Sequence, residues 1–201
     1  MKRIKEVFGE DCKIENVRKK GSGIILTENG YILTNQHVVG NKYSNCFVTL
    51  ENGTIHEGIV VWADNNIDLA IIKIVANGLD YINLGDSDNI SLADEVFAIG
   101  NPIGIEFQRT VTKGIISGIN RTIKLEENGV GSYMEDLIQT DATINEGNSG
   151  GPLINKDGEL IGINTVKING AEGIGFAVPI KRTQALQMRR EVSSKRLRKA
   201  V

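Results

Sequence analysis

The segment Gly147-Asn148-Ser149-Gly150-Gly151-Pro152 sets one hydroxyl nucleophile among residues that have almost no side chain. Flanking glycines let a carbonyl carbon approach the serine, and they let backbone N–H groups turn inward to hold a developing oxyanion. The donors this spacing nominates are the N–H groups of Gly147 and Ser149, with Asn148 between them on the same loop. A serine hydroxyl is a poor nucleophile until a base takes its proton. The chain has two histidines. His37 follows an apolar run in Leu33-Thr34-Asn35-Gln36-His37-Val38-Val39, a polar step at the end of a strand. His56, in Thr54-Ile55-His56-Glu57-Gly58, falls where alternation reads as an outward strand residue. His37 is therefore the candidate base. The base needs a carboxylate that fixes its tautomer and stabilises the imidazolium. Asp68 stands at the mouth of the apolar run Leu69-Ala70-Ile71-Ile72 and is the candidate acid, whereas Asp64 and Asp86 have ordinary turn neighbours.

Chain order separates two ways of using these groups. Gly147-x-Ser149-x-Gly151 is also compatible with a plain glycine-rich turn and with the nucleophile elbow of α/β-hydrolases, where serine precedes acid and histidine. No histidine follows Ser149. The order histidine, aspartate, serine is that of proteases built from two β-barrels.

The elements that must position these groups read as strands. Apolar runs of strand length occupy 24–26, 31–33, 47–50, 54–62, 69–75, 95–99, 110–119, 152–154, 160–164 and 173–178. Hairpin signals stand at Glu28-Asn29-Gly30, Asn52-Gly53 and Lys156-Asp157-Gly158. There are 23 glycines and only 5% aromatic residues, so the core must be built from Ile, Val and Leu between tight turns. With 40% hydrophobic residues over 201 positions, the chain can bury a real core. The expected class is all-β. A short helical turn is expected at 35–39. A second helix is expected after Pro179, where Ile180, Leu186 and Met188 suit one buried stripe. The stretch 100–104 is the expected boundary between two β units. This divides the chain into an N-terminal segment 1–20, a first barrel 21–100 carrying His37 and Asp68, a second barrel 101–180 carrying Ser149, and a basic helix and tail 181–201.

Charge is unevenly spread. Residues 181–201 hold eight basic side chains against Glu191 alone, so they carry +7 of a net −2 and leave −9 for the rest. No aromatic residue interleaves that tail, and it reads as a solvated helix face rather than a nucleic-acid contact. Cys12 and Cys46, the two thiols, make no disulfide framework and no metal spacing, and are expected as buried free thiols. The first seventeen residues are charged throughout and hold no apolar run long enough for a signal peptide or a membrane span.

With these residues placed, the sequence resembles the high-temperature-requirement (HtrA/Deg) branch of the chymotrypsin-like serine proteases. The resemblance is carried by nine stretches in order. GSGIIL (from Gly21), GYILTNQHVV (from Gly30), DLAIIKI (from Asp68), LGDSD (from Leu84) and VFAIGNPIG (from Val96) are followed by TVTKGIISGINR (from Thr110), IQTDATINEGNSGGPL (from Ile138), GELIGINT (from Gly158) and GIGFAVP (from Gly173).

The resemblance implies two perpendicular six-stranded β-barrels with the cleft between them. It implies an endopeptidase that cleaves unfolded or damaged proteins through an acyl-enzyme, with no metal or organic cofactor. Members often form a trimer through the N-terminal segment, usually reside outside the cytoplasm behind an anchor, and typically continue into PDZ domains. A protease domain, truncated or stand-alone, is what these 201 residues match. A peptide-binding module without turnover is the alternative from another class. Substrate is expected to add as a β-strand along Asn164, Thr165, Val166 and Lys167. At the pocket-base position, where a basic preference would need an acid, stands Thr143; Ile144 and Val166 are expected to line the pocket and favour small aliphatic residues, unless Lys167 points inward. Digestive-type relatives carry Asp just before the nucleophile, paired with a new N-terminus after cleavage; here that residue is Asn148, so activation by N-terminal cleavage is not expected. The loops that must order themselves instead are 101–109, 121–134, 145–149 and 165–173.

Overall fold

Leu69–Ile74 is the most thoroughly buried strand of the first sheet, because it has a strand on each side and an apolar layer on each face. Leu69 and Ile71 enter one apolar cluster, and Ile72 and Ile74 another. The computed structural model describes residues 20–101, 109–127, 130–167 and 172–183. Within them, β1 (Ile24–Ile25), β2 (Tyr31–Thr34), β3 (Asn45–Thr49), β4 (Ile55–Asp64) and β5 (Leu69–Ile74) form one sheet in the order β1-β2-β5-β4-β3. The turn α1 (Gln36–Val39) follows β2, as expected from the sequence. A second set, β6 (Glu95–Gly100), β7 (Thr110–Glu127), β8 (Val130–Thr140), β9 (Pro152–Asn155), β10 (Leu160–Lys167) and β11 (Gly175–Pro179), closes into a barrel in the order β10-β11-β8-β7-β6-β9. Every pair of named strands is antiparallel.

The class is the expected all-β one, with several differences in detail. The first unit is a five-stranded sheet among the described residues rather than a six-stranded barrel, and all but Lys20 of the N-terminal segment 1–20 lies outside them. The sheets change over between Ile74 and Glu95, not at 100–104, because β6 pairs with β7 and β9 inside the barrel. The segment 121–134, expected as a loop, is mostly hairpin: β7 and β8 continue through Ile123↔Met134 to Glu127↔Val130. Register shifts at Gly118 and Arg121 break the regular alternation that would have marked it as strand. Pro179 ends β11 rather than opening a long helix, and Ile180–Arg182 make one 3-10 turn. The expected helix over the rest of 181–201 lies outside the described residues. Lys181, the first base of that segment, pairs with Asp88 at 2.9 Å, and this hydrogen bond raises its ammonium above the ordinary lysine range.

One apolar cluster joins the two units. Ile24, Leu26, Leu33, Leu69 and Ile71 from the first sheet pack with Met134, Leu137, Leu160, Ile163, Phe176 and Val178 from the barrel. A separate cluster including Val96, Ala98, Ile116, Ile138, Leu153 and Ile161 fills the barrel interior. Burying a Leu or Ile side chain contributes about 1.5–3 kcal/mol, so the shared cluster is the main term holding the two units together.

Candidate active site

The β2–β5 register pairs Thr34 with Ala70, so the residues running past those ends, 35–37 and 68, come face to face. Backbone and side chain fasten the corner. Gln36 N–H donates to Asp68 O at 3.1 Å, and Asn35 Nδ2 donates to the same oxygen at 2.9 Å. Asp68 itself takes a left-handed φ of 53°, an uncommon conformation for a residue with a Cβ, and it turns the carboxylate back toward α1. His37 N–H donates to Asp68 Oδ1 at 2.9 Å, and the ring Nδ1 lies 2.7 Å from Oδ2. A carboxylate at Nδ1 holds the proton on that nitrogen and leaves Nε2 with its lone pair for a hydroxyl. The acid is 13% exposed while the imidazole is 43% exposed, so the base faces the cleft and its partner is sheltered.

The nucleophile comes from the barrel. The β9–β10 ladder pairs Pro152 with Ile163, and it continues past the end of β9 as Asn164 N–H to Gly151 O (2.9 Å) and Gly150 N–H to Asn164 O (2.8 Å). Ser149 is thereby set beside Thr165, and its Oγ donates to Thr165 O at 2.8 Å. Thr165 Oγ1 donates in turn to Asp68 Oδ2 at 2.9 Å. The three residues picked out for nucleophile, base and acid are thus brought together, with Thr165 touching two of them. Sequence reasoning had Thr165 only as a strand for ligand; its hydroxyl on Asp68 carried no local signal.

Asn148 N–H donates to Asn145 O and Gly151 N–H to Asn148 O, both at 2.9 Å. Carbonyl and N–H point oppositely across a trans peptide, so the second bond turns Ser149 N–H the other way. Among the described residues, the N–H groups of Gly147 and Ser149 donate to no protein acceptor. Asn148 does not belong with them as a donor. Its N–H is spent in the turn, and its side chain is 1% exposed, with Nδ2 3.4 Å from Thr143 O.

The expected ligand strand is also narrower than the sequence reading. Asn164 is fully buried, its N–H and carbonyl go to Gly151 and Gly150, and its Nδ2 donates to Pro152 O at 2.9 Å. That leaves it no main-chain group for a ligand. Thr165, Val166 and Lys167 continue β10; the side-chain directions of Val166 and Lys167 lie outside what is described. A cleft beside the nucleophile loop is lined by Asp141, Ala142, Thr143, Ile144, Asn145, Glu172, Gly173, Ile174 and Gly175. Ile144 is 5% exposed and lies so close to Gly175 that a Cβ there would come 2.5 Å from its Cγ1. The aliphatic side chain therefore fills one side of the cleft.

The other candidates fall elsewhere. His56 lies on β4 opposite Val48, with Nε2 3.3 Å from Thr54 Oγ1. Asp64 and Asp86 accept backbone N–H groups of their own turns. Cys46 is a half-buried free thiol whose pKa burial raises; Cys12 lies outside the described residues. No helix among the described residues is long and apolar enough to cross a membrane.

Comparison with known proteins identifies the family. The model of the trypsin-like peptidase domain matches residues 21–163. The chain is 46% identical over 164 residues to the putative serine protease HhoB of Synechocystis, covering 82% of this chain and 38% of that protein. It is 46% identical over 165 residues to the serine protease Do-like HtrA of Bacillus subtilis, covering 79% of this chain and 36% of that protein. Among solved structures, the HtrA-type protease AlgW with decapeptide superposes with a TM-score of 0.71 at 41% identity, over 87% of this chain and 51% of that one. The serine endoprotease from Yersinia pestis gives 0.69 at 42% identity, over 83% and 56%. The chain spans 31% to 47% of the length of the first curated relatives it matches. The matched family, the relatives at this identity and the shared fold together establish that the chain belongs to the trypsin-like peptidases, in their HtrA/Deg branch.

Proposed function

We propose that this chain is a serine endopeptidase that hydrolyses peptide bonds of unfolded or damaged proteins through an acyl-enzyme. Ser149 attacks the carbonyl, His37 takes its proton and later returns it to the leaving amine, and Asp68 orients His37. The N–H groups of Gly147 and Ser149 hold the oxyanion, and substrate lies as an added strand along β10 from Thr165. The observation that carries the reading is the pair His37 Nδ1–Asp68 Oδ2 at 2.7 Å, set against a serine on the adjoining ladder. For the reaction to begin, the Ser149 hydroxyl must leave Thr165 O and turn to His37 Nε2. A substrate N–H that takes the Thr165 carbonyl would release it. The cleft beside Thr143 and Ile144 favours a small aliphatic residue before the scissile bond. A trimer assembled through the N-terminal segment belongs to the same reading and is read by light scattering.

The test is degradation of casein by the chain beside its Ser149→Ala variant. Loss of degradation in the variant, by a factor of roughly 10⁴–10⁶ in turnover, is expected. Equal degradation by both would overturn the assignment. A binding module without turnover is not favoured, since the relatives are named as proteases. Failure of Ser149 to react with a fluorophosphonate would revive it.

A further inference from the structure

Ser22 sits just before β1, 7% exposed, and all of its polar groups are engaged. Its hydroxyl donates to Gly147 O at 2.7 Å and accepts Asn101 N–H at 2.9 Å. Its own N–H donates to Ser149 O at 2.8 Å, and its carbonyl accepts Thr34 Oγ1 at 2.7 Å. One buried residue thus connects the strand that leads to His37 with two points on the loop that carries Ser149. Contact is close on every side: a Cβ on Gly150 would lie 2.2 Å from both Ser22 O and Thr34 Oγ1.

We propose that Ser22 is a positioning residue for the oxyanion hole, acting on the backbone of Gly147 and Ser149 through their carbonyl oxygens. The proposal rests on the serine-hydrolase reading of the site. Gly147 has φ 97°, and without a Cβ its backbone has alternatives closed to Asn148 and Ser149. The plane that follows it is held at one end by the Ser22 hydroxyl on its carbonyl and at the other by Asn148 N–H on Asn145 O. The plane after Ser149 is held by Ser22 N–H and by Gly150 N–H on Asn164 O. Remove the hydroxyl, and the Gly147 carbonyl keeps only the longer 3.4 Å approach of Asn101 N–H. Freed at its carbonyl, Gly147 can change φ and ψ together, and the preceding plane, which carries the Gly147 N–H, turns away from the direction in which an oxyanion would sit. Ground-state binding along β10 uses none of these groups, so the loss falls on the transition state.

The test compares Ser22→Ala with the wild type in three measurements: kcat and KM on a Val-containing peptide, affinity for a peptide boronic acid whose tetrahedral adduct places an oxygen in the hole, and affinity for the product peptide. Removing an oxyanion donor outright costs about 10²–10³ in kcat, and displacing one should cost about 10–100-fold, with KM changed less than about threefold. Boronate affinity should fall in parallel while product affinity stays. A folded Ser22→Ala protein with wild-type kcat overturns the proposal, and so does an equal loss of product affinity, which marks general loosening. Should Ser22→Ala not fold, Ser22→Cys, with a much weaker donor, replaces it, and wild-type kcat in that variant is the overturning result. Failure of the underlying reading shows separately, as a wild-type chain that neither turns over peptide nor takes up a fluorophosphonate, and the proposal falls with it.

Discussion

Thr165 donates its hydroxyl to the carboxylate oxygen of Asp68 at 2.9 Å, the same oxygen that faces His37 Nδ1 at 2.7 Å. A residue of the barrel therefore fixes the acid of the first sheet, and the base inherits its orientation from both units. A hydrogen bond to a charged group is worth about 1.5–3 kcal/mol. Thr165→Val is accordingly expected to lower kcat about 10–100-fold, with KM little changed and Thr165→Ser restoring most of it. Steady-state kinetics on the three proteins decide it; a wild-type rate in the Val variant would remove the hydroxyl from the mechanism.

Asp68→Asn keeps the shape of the corner and supplies an N–H where the imidazole needs an acceptor. The His37 ring then settles in the wrong tautomer, with Nε2 protonated and unable to take the Ser149 proton. A drop in kcat of about 10⁴ near neutral pH is expected, measured as peptide hydrolysis with the fold checked by circular dichroism.

Asn148→Asp places a carboxylate at a position 1% exposed, beside Thr143 O, another acceptor. Burial without a cation raises the carboxyl pKa in the folded state above its unfolded value near 4. The folded form is then favoured at low pH, and its deficit against wild type grows as pH rises from about 4 toward 7. Urea midpoints of the two proteins at both pH values test the sign. Trimming the N-terminus with a protease should not rescue the variant or activate the wild type.

Ile144 lies against Gly175 in the cleft, so model peptides with Val before the scissile bond should be cleaved and those with Arg should not. Gly175→Ala would push a methyl to 2.5 Å from Ile144 Cγ1, and overpacking of that kind costs about 1–3 kcal/mol. A lowered Tm with a narrower range of cleaved peptides is the expected pair of results. Arg-directed cleavage by the wild type would refute the aliphatic pocket.

The site was legible where residue type alone limits the choice. Of two histidines only His37 follows a strand end, and only Asp68 opens a fully apolar run, so order along the chain completed the set. The hairpin β7–β8 was missed because its bulges at Gly118 and Arg121 disturb alternation over polar residues. Ser22 and the hydroxyl of Thr165 escaped notice for another reason. Their partners lie 125 and 97 residues away, and a hydroxyl buried by tertiary contact looks in sequence like any other. Asn148 was placed on the right loop, but which way its N–H points is decided by Asn145 and by Ser22 on the Gly147 carbonyl, not by its own identity.

The apolar cluster that runs from Ile24, Leu33 and Ile71 into Leu137, Phe176 and Val178 has a consequence for how the molecule comes apart. Each unit keeps an apolar cluster of its own but would expose its share of the common one once the other departs, so the two are expected to melt as a single cooperative step rather than in sequence. Heat should then abolish chemistry and tertiary structure at one temperature, and separately made halves should regain order only when mixed.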